Sequence, residues 1–144
     1  MKMTILLTFI ISLFVFSACQ TASTEKASDA QVNTQENAMQ NEIKQVTVAQ
    51  AKGSLTGKDA QFIDVRTEEE YAAGHAVKAV HFPLDALEKD SGKLDKEKPV
   101  YVICQTGRRS QKGAEILQKA GFKDIYNIEG GTSAWTSAGY PVEK

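Results

Sequence analysis

The residues best equipped for chemistry stand side by side: Cys104-Gln105-Thr106-Gly107-Arg108-Arg109-Ser110. They follow the apolar run Tyr101-Val102-Ile103 and lead into a stretch with helical spacing. A tight loop entering a helix N-terminus turns several backbone N–H groups toward one point, which makes a receptor for an anion. Gly107 permits so close a turn, and Arg108 and Arg109 add positive charge. A cysteine facing such a nest has its thiolate favoured and its pKa lowered. The segment therefore pairs a nucleophilic sulfur with anion-binding groups. A lone cysteine closing a core strand is as readily a small hydrophobe. The Thr-Gly-Arg-Arg-Ser that follows Cys104 favours the chemical reading.

The elements that must hold this loop alternate between two periodicities. Strand signals fall at residues 45–48, 61–65, 79–82, 99–104 and 124–128, and helical ones at 49–55, 67–73, 110–120 and 130–138. The run 99–104 is apolar throughout, as expected of a central strand covered on both faces. Thr67 with Glu70 three residues on is a capping box, and Gly74 closes that helix. Gly121 stops the helix that follows the cysteine loop, and a stop near Gly53 or Gly57 ends the first one. Strands alternating with helices predict an α/β domain with a largely parallel central sheet flanked by helices. In such a sheet ligands bind beyond the carboxyl ends of the strands, where Cys104 falls.

The 144 residues are 42% hydrophobic and 24% charged, values that exclude a wholly disordered chain. The formal charge of −1 gives no global reason to expect nucleic-acid binding. The two cysteines lie in dissimilar surroundings, and two are too few for a four-cysteine zinc site. Residues 3–18 are uncharged and mostly apolar, densest from Ile5 to Phe16. That is short for a bilayer span but suits the apolar region of a signal peptide. Ser17-Ala18-Cys19 resembles the cleavage motif of bacterial lipoproteins, in which the cysteine becomes lipidated; Phe16 stands where that motif usually has Leu. A plain secretory signal or an uncleaved anchor is the alternative. Residues 19–42 lack aromatics, Gly and Pro and read as a lipid-bearing Cys19 followed by a disordered tether. The expected organisation is a signal segment at 1–18, the tether at 19–42 and one domain at 43–144, exported and held at a membrane.

Over nearly all of 43–144 the sequence resembles the rhodanese (sulfurtransferase) family. The resemblance rests on Ile63-Asp64-Val65-Arg66, Glu70-Tyr71, Gly74-His75, the Cys104–Ser110 loop, Gly130-Gly131, Ala134-Trp135 and Gly139-Tyr140-Pro141-Val142. It implies a persulfide-forming Cys104 and a loop, Gln105 through Arg109, whose amides bind a small anionic sulfur donor. Arg109 matches the family's frequent basic position, and Arg108 stands at a variable one. The implied reaction moves sulfane sulfur from a thiosulfate-like donor to a thiol, cyanide or a sulfur-accepting protein, without cofactor or metal. Lys78 departs from the pattern, standing where the family usually has Gly in a turn.

Two rival functions fit the same loop. Phosphatase and arsenate-reductase relatives use a loop of seven residues, whereas Cys104 to Arg109 spans six. A persulfide-carrying or persulfide-sensing module acting on a partner protein would share every residue named above. Elsewhere the expectations are structural. Asp64 and Arg66 tie adjoining loops, His75 orients a loop, His81 is a satisfied strand residue, Trp135 is core, and Glu68, Glu69 and Glu70 form a solvated helix start.

Overall fold

The computed structural model describes residues 42–56 and 59–144. The signal segment at 1–18, Cys19, all of the tether but Glu42, and Gly57 as a helix stop lie outside the described residues. Five strands form one sheet: β1 (Ile43–Val46), β2 (Gln61–Asp64), β4 (Val80–His81), β5 (Val100–Ile103) and β6 (Ile125–Ile128). Their order is β1-β6-β5-β2-β4, and every pairing is parallel. The helices are α1 (Val48–Leu55), α2 (Glu68–Ala73), α3 (Leu84–Asp90), α4 (Arg108–Lys119) and α5 (Gly131–Ser137). Two short strands, β3 (His75–Ala76) and β7 (Val142–Glu143), pair antiparallel beside the main sheet.

The centre of the sheet is dry on both faces because β5 supplies apolar side chains to each in turn. Val100 and Val102 pack with Ile63, Leu87, Ala114, Leu117 and Phe122 beneath α3 and α4. Tyr101 and Ile103 pack with Ala51, Phe62, Ile128 and Trp135 beneath α1 and α5. Such two-sided burial is the reason the strand reads as an unbroken apolar run.

Local chemistry sets the element ends. Thr47 caps α1, and Gln50 returns a side-chain oxygen to the Thr47 N–H at 2.9 Å. Val48 is thereby drawn into the helix rather than the preceding strand. Thr67 and Glu70 form the expected capping box of α2. Gly107, at φ 98°, starts α4 two residues earlier than the sequence pattern predicts. The helix α3 is not expected from the sequence: it is seven residues long and follows Pro83 without a side-chain cap. Lys78 keeps a positive φ of 73°. The turn therefore has the conformation a glycine would favour, held in part by the Lys78 N–H donating to the Glu143 carboxylate at 3.1 Å.

Candidate active site

Three loops meet beyond the carboxyl ends of adjacent strands. Arg66 follows β2, Cys104 to Gly107 follow β5, and Gly130 and Gly131 follow β6. The Cys104 sulfur accepts hydrogen bonds from the Gly107 N–H at 3.1 Å and from the Ser110 hydroxyl at 3.4 Å. Burial pushes the Cys104 thiol up, since the residue is 1% exposed, but the Ser110 hydroxyl and the amides of Ser110, Thr106 and Gly107 outweigh it. The net effect holds the thiol below its ordinary value. Among the described residues it is the one free cysteine.

The loop is clasped from the side by the start of α5. The Thr132 N–H donates to the Cys104 carbonyl at 2.7 Å, the Thr132 hydroxyl to the same oxygen at 3.2 Å, and the Ser133 N–H to the Gln105 carbonyl at 3.1 Å. This approach requires Gly131: at φ 55°, a Cβ there would overlap the Cys104 carbonyl oxygen and the Gln105 backbone. Gln105 is used as a staple, its side-chain amide donating to the Ser133 hydroxyl at 2.8 Å and accepting from Arg66 Nη1 at 3.3 Å. Arg66 is itself buried and bound by the Asp64 carboxylate at 2.8–3.0 Å, and it also donates to the Gly74 carbonyl at 2.8 Å. Asp64 and Arg66 thus tie the loops together as the sequence suggests.

The two basic residues of the loop diverge. Both terminal nitrogens of Arg109 donate to the Glu70 carboxylate, each at 2.6 Å. The Arg109 guanidinium pulls the Glu70 carboxyl down to about 2, and Glu70 in turn raises Arg109. Arg108 is exposed and lines a cleft of about 730 Å³ with Thr106, Gln45, Gln111 and Lys112. A second cleft, of about 540 Å³, lies on the other side of the loop against Arg66, Glu70, Gln105, Thr132 and Ser133.

One expectation is corrected in part by these contacts. Glu68 and Glu69 are exposed, as a solvated helix start requires, but Glu70 is half-buried against Arg109; Glu68 also lies 2.9 Å from His81 Nδ1. Within the first turn of α2 it is Glu70 that faces the cysteine loop, where Arg109 meets it. His75 orients its loop through Nδ1, 3.0 Å from the Tyr71 carbonyl, and Trp135 is core. Ser110, Glu70, Gly131 and Thr132 belong to the site although sequence reasoning assigned them no part in binding. Ser110 was within the motif, but nothing local distinguished it from an ordinary first-turn serine. Among the described residues no group of three or more His, Cys, Asp or Glu side chains comes together as a metal site.

Among the described residues, a parallel sheet with its buried cysteine seated in a six-residue amide-lined loop at the carboxyl edge defines the class: an α/β domain built around a cysteine loop. The chain belongs to the rhodanese-like domain family, whose sequence profile matches residues 47–138. It is 37% identical over 92 residues to the thiosulfate sulfurtransferase GlpE of Coxiella burnetii, covering 64% of this chain and 86% of that one. It is 40% identical over 74 residues to the Putative sulfur carrier protein YrkF of Bacillus subtilis, covering 51% of this chain and 40% of the relative's length. A rhodanese-like domain protein from Staphylococcus aureus superposes with a TM-score of 0.60 at 36% identity, over 65% of this chain and 91% of that one.

Proposed function

We propose that this domain is a sulfurtransferase that carries sulfane sulfur as a persulfide on Cys104. The Cys104 thiolate attacks the outer sulfur of a thiosulfate-like donor. A new S–S bond forms at Cys104, the donor's S–S bond breaks, and sulfite leaves with its electron pair. A thiolate or cyanide then attacks the terminal sulfur, and Cys104 departs as the thiolate. Splitting the transfer through a covalent intermediate makes two easier steps of one. The observation that carries the reading is the Gly107 N–H on the Cys104 sulfur at 3.1 Å, within a loop that favours the thiolate. The same amides suit the negative charge of a persulfide. The similarity to GlpE supports thiosulfate as donor.

Steady-state turnover with thiosulfate and cyanide tests this directly. Parallel double-reciprocal lines support the ping-pong scheme; intersecting lines oppose it. The similarity to YrkF favours a second reading, in which the acceptor is a partner protein and free acceptors turn over slowly.

The apolar stretch ending in Ser17-Ala18-Cys19 supports a further proposal, that the chain is exported and anchored by a lipid on Cys19. Radiolabelled palmitate should enter the full chain and be lost in Cys19→Ser. A wild type that is unlabelled and wholly soluble opposes the anchor.

A further inference from the structure

Arg109 stands at the mouth of the cysteine loop, yet its planar fork is already filled. Both terminal guanidinium nitrogens meet the two Glu70 oxygens at 2.6 Å. That is the bidentate geometry a donor oxyanion would otherwise take. Glu70 is not a passing surface partner. The Thr67 N–H donates to its Oε2 at 3.2 Å, and the Thr67 hydroxyl accepts from the Glu70 N–H at 3.4 Å, so the capping box fixes the carboxylate. A second guanidinium touching the loop, that of Arg66, is likewise matched by Asp64. Glu70 and Arg66 both line the 540 Å³ cleft beside Gln105. Glu70 and Asp64 thus each neutralise one of these two arginines, while Arg108 stands exposed at the cleft on the other side of the loop.

We infer that Glu70 is a specificity-determining residue of the sulfur-transfer site: by neutralising Arg109 it disfavours dianionic donors and shifts the preference toward sulfane-sulfur donors of lower charge. The inference rests on the reading of Cys104 as a persulfide carrier. Glu70 acts through Arg109 and is a positioning residue, not a catalytic one. Its side chain and that of Arg109 are each about a third exposed (33% and 36%). Pairs so exposed contribute little to stability, so the charge can be altered in a folded protein. Glu70→Gln keeps the length and a carbonyl oxygen for the Thr67 N–H while removing the charge.

Two small donors separate charge from chemistry. Thiosulfate is a dianion and methanethiosulfonate a monoanion. Each presents an outer sulfur to the Cys104 thiolate, releasing sulfite from one and methanesulfinate from the other. The measurement is the ratio of kcat/KM for thiosulfate to that for methanethiosulfonate, with cyanide as acceptor and intact mass reporting sulfur on Cys104. Glu70→Gln should raise the ratio about fivefold, through the thiosulfate KM, and the gain should shrink as salt is added. Arg109→Ala, which leaves Glu70 unmatched, should lower the ratio by a similar factor. The double variant should return to within about twofold of wild type. A ratio unchanged or lowered in folded Glu70→Gln, with wild-type Cys104 still loading sulfur, overturns this inference alone. Wild type that loads sulfur from neither donor overturns the sulfurtransferase reading beneath it.

Discussion

Gly131 lies so close to Cys104 that its α-carbon has room only for hydrogen: a methyl group there would overlap the Cys104 carbonyl oxygen. That contact sets the distance between the loop after β6 and the loop after β5. It allows the Thr132 N–H to reach the Cys104 carbonyl at 2.7 Å. Cys104 is thus held from behind by backbone, leaving its sulfur to the amides in front.

Gly131→Ala should therefore damage the site more than its single methyl suggests. Overpacking costs roughly 1–3 kcal/mol, and a left-handed conformation adds about 1–2 kcal/mol for a residue with a Cβ. Displacing the loop by ~1 Å should also cut sulfur loading by up to about 100-fold. Thermal unfolding and loading rate, measured on the same preparation, check both. Wild-type values for each would mean that the clasp does not position the loop.

Ser110 should set the pH dependence of the sulfur. Its hydroxyl has one proton and two acceptors in reach, the Cys104 sulfur at 3.4 Å and the Gly107 carbonyl at 3.0 Å. Burial raises the thiol, and the hydroxyl is the first of the groups that lower it. Ser110→Ala should move the Cys104 pKa upward, so the rise of alkylation rate with pH shifts to higher pH and the loss is greatest at low pH. A profile that is unmoved, or displaced to lower pH, contradicts the role assigned to the hydroxyl.

The Asp64–Arg66 pair is fully enclosed, the two residues being 0% and 3% exposed. Removing one member of such a pair leaves an uncompensated buried charge and costs about 3–5 kcal/mol. Asp64→Ala should lose stability on that scale in urea unfolding at an unchanged m-value, and Asp64→Leu combined with Arg66→Met should be less harmed. Equal losses in the single and paired variants would show that packing rather than charge governs this position.

Lys78 offers the opposite sign. Its φ of 73° is costly for a side chain with a Cβ, and the side chain is exposed. Lys78→Gly should stabilise the domain by about 0.5–1 kcal/mol, the left-handed cost less the extra chain entropy of glycine. A lower melting temperature in the glycine variant would contradict that balance.

What the sequence discloses here is what lies within a few residues. The cysteine loop is contiguous, the Thr67–Glu70 capping box joins residues three positions apart, and β5 announces its burial by its unbroken apolar composition. Contacts made by folding are hidden. Glu70 and Arg109 lie 39 positions apart, and a carboxylate in a helix first turn looks the same whether it faces water or a guanidinium. The strands β3 and β7 are two residues each, too short for an alternating pattern. The helix α3 buries only Leu87 among its seven residues, and three of the others are exposed. Gly131 is visible as a glycine, but its role depends on which backbone approaches it. Lys78 is the instructive middle case: the family resemblance marks the turn, and the structure gives the angle that makes the substitution costly.

The measurement that bears most directly on the account is the intact mass of the domain after exposure to thiosulfate. Wild type should gain the mass of one sulfur atom, located on Cys104 by peptide mapping, and cyanide should remove it as thiocyanate. Cys104→Ser should keep the fold and gain nothing. A wild-type domain that never gains sulfur, or a serine variant that transfers sulfur as well as wild type, would contradict the central claim.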